Sequence, residues 1–63
     1  MKYIITYAGL PIRVYTNACG KHYSAVAQDA AATRFDSKAE AEVKADLHRV
    51  PARHRTIQPF DES

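Results

Sequence analysis

The chain has one cysteine among its 63 residues, so it has no internal disulfide, and Cys19 reads as a reduced thiol of a cytosolic protein. No stretch is apolar enough to span a membrane, and Met1 to Tyr7 is too short and too polar for a signal peptide. The expected location is therefore the cytoplasm, with no membrane partner. Equally missing are a glycine-rich phosphate loop, paired catalytic carboxylates in an apolar setting and a G-x-S-x-G elbow, so no enzymatic activity and no cofactor are expected. A strong excess of one sign of charge is also lacking, with nine basic side chains against seven acidic ones. The net charge of +2 does not by itself announce a nucleic-acid partner.

A chain this short forms one domain that buries only about 60% of the surface its unfolded form exposes. A homodimer would add stability. The charge that exists is unevenly spread. Residues 1–34 carry Lys2, Arg13, Lys21 and Arg34 against Asp29, a balance of +3, whereas residues 35–63 come to −1.

Periodicity places the elements. Lys2 to Tyr7 alternates, with Tyr3, Ile5 and Tyr7 on one face, and predicts a strand. Ala8 to Pro11 predicts a hairpin turn, after which Ile12 and Val14 share one side and Arg13 and Tyr15 the other. Asn17 to Lys21 is a second turn with Gly20 free to take positive φ. His22 to Val26 is a weaker third strand, and Gln28 to Ala32 is ambiguous between loop, helical turn and strand.

Phe35-Asp36-Ser37-Lys38-Ala39-Glu40 is a strong helix start, with Ser37 as N-cap and Glu40 completing a capping box. The helix is expected over about Lys38 to Arg49, its apolar stripe formed by Ala39, Val43, Leu47 and Val50, with Pro51 ending it. Ala39, Ala41 and Ala45 would permit close approach to a sheet, and Phe35 would plug the edge of the core. Arg55 to Gln58 predicts a last strand, stopped by Pro59. The result is a single α+β domain over 1–58, followed by a tail over 59–63. Its helix packs across one face of a small antiparallel sheet of three or four strands, β-β-(β)-α-β. The opposite face, bearing tyrosine and arginine, is expected to stay open.

Cys19 with His22, and His48 with His54, offer four side chains of the types zinc favours. His48 belongs to the helix end and His54 lies beyond Pro51, so no metal site is expected. Two features point instead to binding. His48 to Arg55 is the densest basic cluster, suited to an acidic protein groove or a phosphate backbone. Tyr3, Tyr7, Tyr15 and Tyr23 exceed what a one-sided core requires, and exposed tyrosine is a common interface anchor. The partner-binding candidates are Tyr7, Arg13, Tyr15, Arg49, Arg53 and Arg55.

Ala32-Thr33-Arg34-Phe35-Asp36-Ser37-Lys38-Ala39-Glu40-Ala41, following the strand Lys2-Tyr3-Ile4-Ile5, resembles a pattern in small phage and prophage proteins. There, strands lead into an A-x-x-F-x-S/T-x-x-E-A helix start and a final short strand. The resemblance implies a mobile-element origin and a non-enzymatic protein that occludes host machinery such as a CRISPR-type defence complex, as anti-CRISPR proteins do. A second likeness, three strands followed by one helix, is to the arm-binding domain of phage integrases. It implies DNA contacts from Arg13, Lys21 and Arg34. The low net charge, the acidic helix and the strand after the helix depart from that pattern.

Overall fold

The computed structural model describes residues 2–60. Strand β1 (Lys2–Tyr7) is followed by β2 (Leu10–Thr16), β3 (His22–Val26), helix α1 (Lys38–Leu47) and β4 (Arg55–Phe60). Short 3-10 turns occupy Asp29–Ala31 and Ala52–His54. The strands form one antiparallel sheet in the order β3-β2-β1-β4, with α1 packed on it. This is the expected α+β architecture.

Turn chemistry sets the register. Ala8 and Gly9 take φ of 52° and 82°, the left-handed pair of a type I′ turn whose twist matches a hairpin. That turn places Tyr7 opposite Leu10 and Ile5 opposite Ile12. In the second hairpin, Asn17 Oδ1 accepts from the backbone N–H groups of Cys19 (3.0 Å) and Lys21 (2.9 Å). Tyr15 thereby faces Tyr23, and Arg13 faces Ala25.

Beyond Ile5 and Ile12, β1 and β2 separate, and the segment Thr33 to Phe35 enters the gap. Phe35 exchanges two backbone hydrogen bonds of 2.9 Å with Tyr3. Thr33 Oγ1 accepts from the Val14 N–H at 3.0 Å and donates to the Val14 carbonyl at 3.4 Å. The wedge thus satisfies backbone groups that a split sheet would orphan. Lys2 and Asp36 pair across its outer end.

On the helix side, Ile5, Ile12 and Phe35 pack with Ala41, Ala45 and Val50, bordered by Tyr3, Tyr7, Val14 and Ile57. Of the expected stripe only Val50 reaches the core. Ala41 and Ala45 are fully buried, whereas Val43 (65% exposed) and Leu47 (44%) point outward, and Ala39 is exposed with them. Phe35 and the sheet isoleucines already fill the volume between the layers, so the helix settles on its alanine face. Space overrides hydrophobicity in setting its rotation.

The ends of α1 differ in how well they were expected. Ser37 Oγ accepts from the Glu40 N–H at 3.1 Å, as the cap motif predicts. The helix closes at Leu47 rather than Arg49, through a Schellman motif. Val50 N–H reaches the Ala45 carbonyl at 2.9 Å and Arg49 N–H the Asp46 carbonyl at 3.1 Å, with Arg49 left-handed at φ 59°. Pro51 therefore follows the stop and does not make it.

The other sheet face is only half open. Ile4 alternates onto it yet is 1% exposed, Ala32 is buried as well, and the Arg34 guanidinium lies 4.3 Å from the centroid of the Phe60 ring. The segment 28–34 therefore lies over β1 and the Phe60 end of β4 on this face, while Thr56 and Gln58 stay exposed. The β2–β3 half is uncovered.

Strand β4 also runs past its expected stop at Pro59 to Phe60, so the domain takes in the first residues of the expected tail; 61–63 lie outside the described residues. Tyr3 faces Pro59, and its backbone groups turn away from β4 toward Phe35. The pair is consequently a non-hydrogen-bonded one, and the proline nitrogen faces the open edge, where no N–H is needed.

Candidate partner-binding surface

The uncovered half of the sheet carries Arg13, Tyr15 and Tyr23 on adjacent positions of β2 and β3. Cross-strand pairing stacks the two tyrosine rings at 5.5 Å between centroids and 22° between planes. The Arg13 guanidinium lies 5.5 Å from the Tyr15 ring centroid, within cation–π range. Asn17 Nδ2 donates to the Tyr23 hydroxyl at 3.3 Å. Tyr15 (42% exposed) and Tyr23 (40%) are thus ordered by their neighbours while still facing solvent.

Around the edge of β3 lies an open groove of about 520 Å³, lined by Lys21, His22, Tyr23, Leu47 and Arg49. The lining residue His22 is in turn held by a second histidine, His48. The buried His48 uses Nδ1–H to donate to the Tyr23 carbonyl at 2.9 Å, which sets its tautomer because a carbonyl only accepts. The His22 ring meets it edge-on, centroids 4.9 Å apart, and His22 Nδ1 bonds Thr16 Oγ1 at 3.0 Å. Lys21 and Arg49 bring positive charge to the rim. Arg49 does so from a left-handed backbone position that favours glycine.

The candidates named from sequence separate into groups. Arg13 and Tyr15 form the platform, and Arg49 joins the groove. Tyr7 packs on the core side, its ring 5.8 Å from that of His54. Arg55 binds Asp46 Oδ1 at 2.8 Å and the Val50 carbonyl at 3.0 Å, tying β4 to the helix end. Arg53 is exposed in the 3-10 turn before β4, away from the platform. Of the alternative nucleic-acid set, Arg13 and Lys21 lie on the β2–β3 half, while Arg34 is stacked on Phe60 and folded back on the Ala32 carbonyl.

The histidines pair differently from their sequence neighbours: His22 meets His48, His54 meets Tyr7, and Cys19 is exposed in its turn. No group of three or more His, Cys, Asp or Glu suited to a metal exists among the described residues. Sequence reasoning named Tyr23 only as one of four tyrosines, without placing it in the site, and missed the roles of His22, His48 and Leu47. The length of the Asn17 to Lys21 turn held the signal for Tyr23, since it fixes which residue faces Tyr15.

No family model, curated protein or solved structure matches this chain. Among the described residues, no helix is long and apolar enough to cross a membrane.

Proposed function

We propose that this is a non-enzymatic binding protein that engages a protein partner through the platform of Arg13, Tyr15 and Tyr23, extended at one end by Lys21 and Arg49. The observation that supports this reading is the ordered stack itself. Two exposed tyrosines held by each other, by Arg13 and by Asn17 lose little side-chain freedom on binding, which is what an interface anchor requires. The basic rim suits an acidic patch on the partner. A domain of 7.1 kDa with no chemistry of its own would act by occupying that surface and excluding other ligands, as a phage-encoded inhibitor of a host defence complex would.

The alternative is single-stranded nucleic acid, for which tyrosines on a sheet face also serve. The ring faces argue for protein: Tyr15 is flanked by Tyr23 and Arg13, leaving little free face for a base to stack on.

Affinity capture with tagged wild type and Tyr15→Ala, from nuclease-treated lysate of the encoding host, tests the reading. A defined protein retained by wild type and lost with Tyr15→Ala is the expected result. Retention that vanishes on nuclease treatment moves the assignment to nucleic acid, and retention unaltered by Tyr15→Ala removes the platform from consideration.

A further inference from the structure

The two edges of the sheet are protected to different degrees. At β4, the outward-facing positions are Arg55, Ile57 and Pro59. Pro59 has no N–H, and the Arg55 N–H is already given to the Ala52 carbonyl, so little of that edge remains to pair. At β3, the alternation set by the Asn17–Lys21 and Ala27–Pro11 hydrogen bonds turns the N–H and C=O groups of His22, Ser24 and Val26 outward. No proline, bulge or charged side chain interrupts His22 to Val26, and all five residues are exposed. Such an edge is a template for another strand.

We infer that β3 is a homodimerisation edge, pairing antiparallel with β3 of a second copy about a two-fold axis at Ser24. Three features favour a second copy as the occupant. First, the strand is self-complementary in this register: Ser24 pairs with Ser24 of the other chain, and His22 pairs with its Val26, so every outward backbone group is used. Second, no charged side chain lies within the strand to oppose its own image. On the open face the small Ala25 falls beside the Tyr23 ring of the other chain and leaves it room.

Third, the side chains meet a matching surface. Val26, at 60% exposed, points to the helix face. In the pairing it stands opposite His22 of the other copy, one strand spacing outward, at the mouth of the groove lined by His22, Tyr23 and Leu47. The apolar groups that each monomer leaves in water, Val26 and Leu47, are thereby brought together twice by one symmetry operation. This inference does not rest on the platform reading, because backbone pairing at the edge of β3 carries it, although the groove that Val26 of the second copy meets is the one rimmed by Lys21 and Arg49.

Sedimentation of the full chain across the micromolar to millimolar range tests it, with Ser24→Pro and Val26→Lys as variants. Ser24→Pro removes an N–H that the hairpin does not use, imitating what Pro59 does at β4. Val26→Lys places a charge on the edge without touching the backbone. The expected result is a species of twice the 7.1 kDa chain mass for wild type and a halved mass for both variants, each with an unaltered circular dichroism spectrum. If Ser24→Pro does not fold, Val26→Lys alone decides. Amide exchange at Ser24 should slow as wild-type concentration rises. A wild type that stays monomeric throughout, or a dimer that survives Val26→Lys, overturns the assignment.

Discussion

The β1–β4 half and the β2–β3 half of this sheet have the same backbone pattern and opposite fates. In the first, β1 is covered on both faces, by α1 on one side and by the segment 28–34 on the other, and it holds Ile4 and Ile5, the largest fully buried side chains. The second presents an uncovered face, an exposed edge and the groove. The largest buried side chains are concentrated in one half, and exposed tyrosine and arginine side chains in the other. Substitutions should divide along the same line, because a position's cost follows what it displaces from the packed half.

The sharpest test is Phe35→Ala. Phe35 fills the centre of the core and its backbone pairs with Tyr3, so the truncation leaves a cavity where wedge, helix and sheet meet. The expected loss is about 3–5 kcal/mol, comparable with the whole stability of a domain this small. The variant should be unfolded by circular dichroism at room temperature. A cooperative melt near that of wild type would mean that the wedge is not what holds the covered half together.

The next contrast lies within α1. Ala45→Leu forces volume into the closed layer and should cost about 1–3 kcal/mol. Leu47→Ala, on the outward side, should change stability by about 0.5 kcal/mol or less. Denaturant midpoints would show the asymmetry directly. Equal costs at the two positions would restore the stripe of Ala39, Val43 and Leu47 as the packing face.

That reversal shows what the sequence made legible. Strand faces came through because a period of two leaves no ambiguity: Tyr3, Ile5 and Tyr7 share a side, as do Ile12 and Val14. Ser37 and Phe35 were legible because a cap and a plug act locally. The helix rotation was not, since two faces of α1 are available to the sheet and the choice depends on volume supplied by Phe35, Ile5 and Ile12 from elsewhere in the chain. The covering of Ile4 by the segment 28–34 was equally hidden, because nothing in an alternating strand says that its second face is buried. Half of the candidate surface, Arg13 and Tyr15, was visible as exposed residues on β2. Its other half, Tyr23 with the groove, depends on hairpin register and on where the helix stops.

Arg49 joins the two halves at that stop. It holds a left-handed position at φ 59° that glycine would occupy without steric penalty. Arg49→Gly should therefore stabilise the fold by about 1 kcal/mol, read as a raised denaturant midpoint. The same change should weaken partner capture, since it removes a cation from the groove rim. A gain in stability with undiminished capture would leave Arg49 outside the recognition surface.

The smallest effect belongs to the pair between Lys2 and Asp36, which fastens the outer end of the wedge. Hydrogen bonding and charge attraction from Lys2 hold the Asp36 carboxyl below its ordinary value of 3.8. A lowered folded-state pKa contributes stability that is fully present above the unfolded value and is lost as pH falls through the folded one. Asp36 is largely solvated and Lys2 about half so, and the contribution is therefore small and screened by salt. Urea midpoints followed from about pH 5 to about pH 2 should fall slightly less for Asp36→Asn than for wild type, with high salt narrowing the difference. An identical acid profile for the two would mean that the wedge is held by the Phe35–Tyr3 and Thr33–Val14 hydrogen bonds alone, leaving the covered half secured entirely from within.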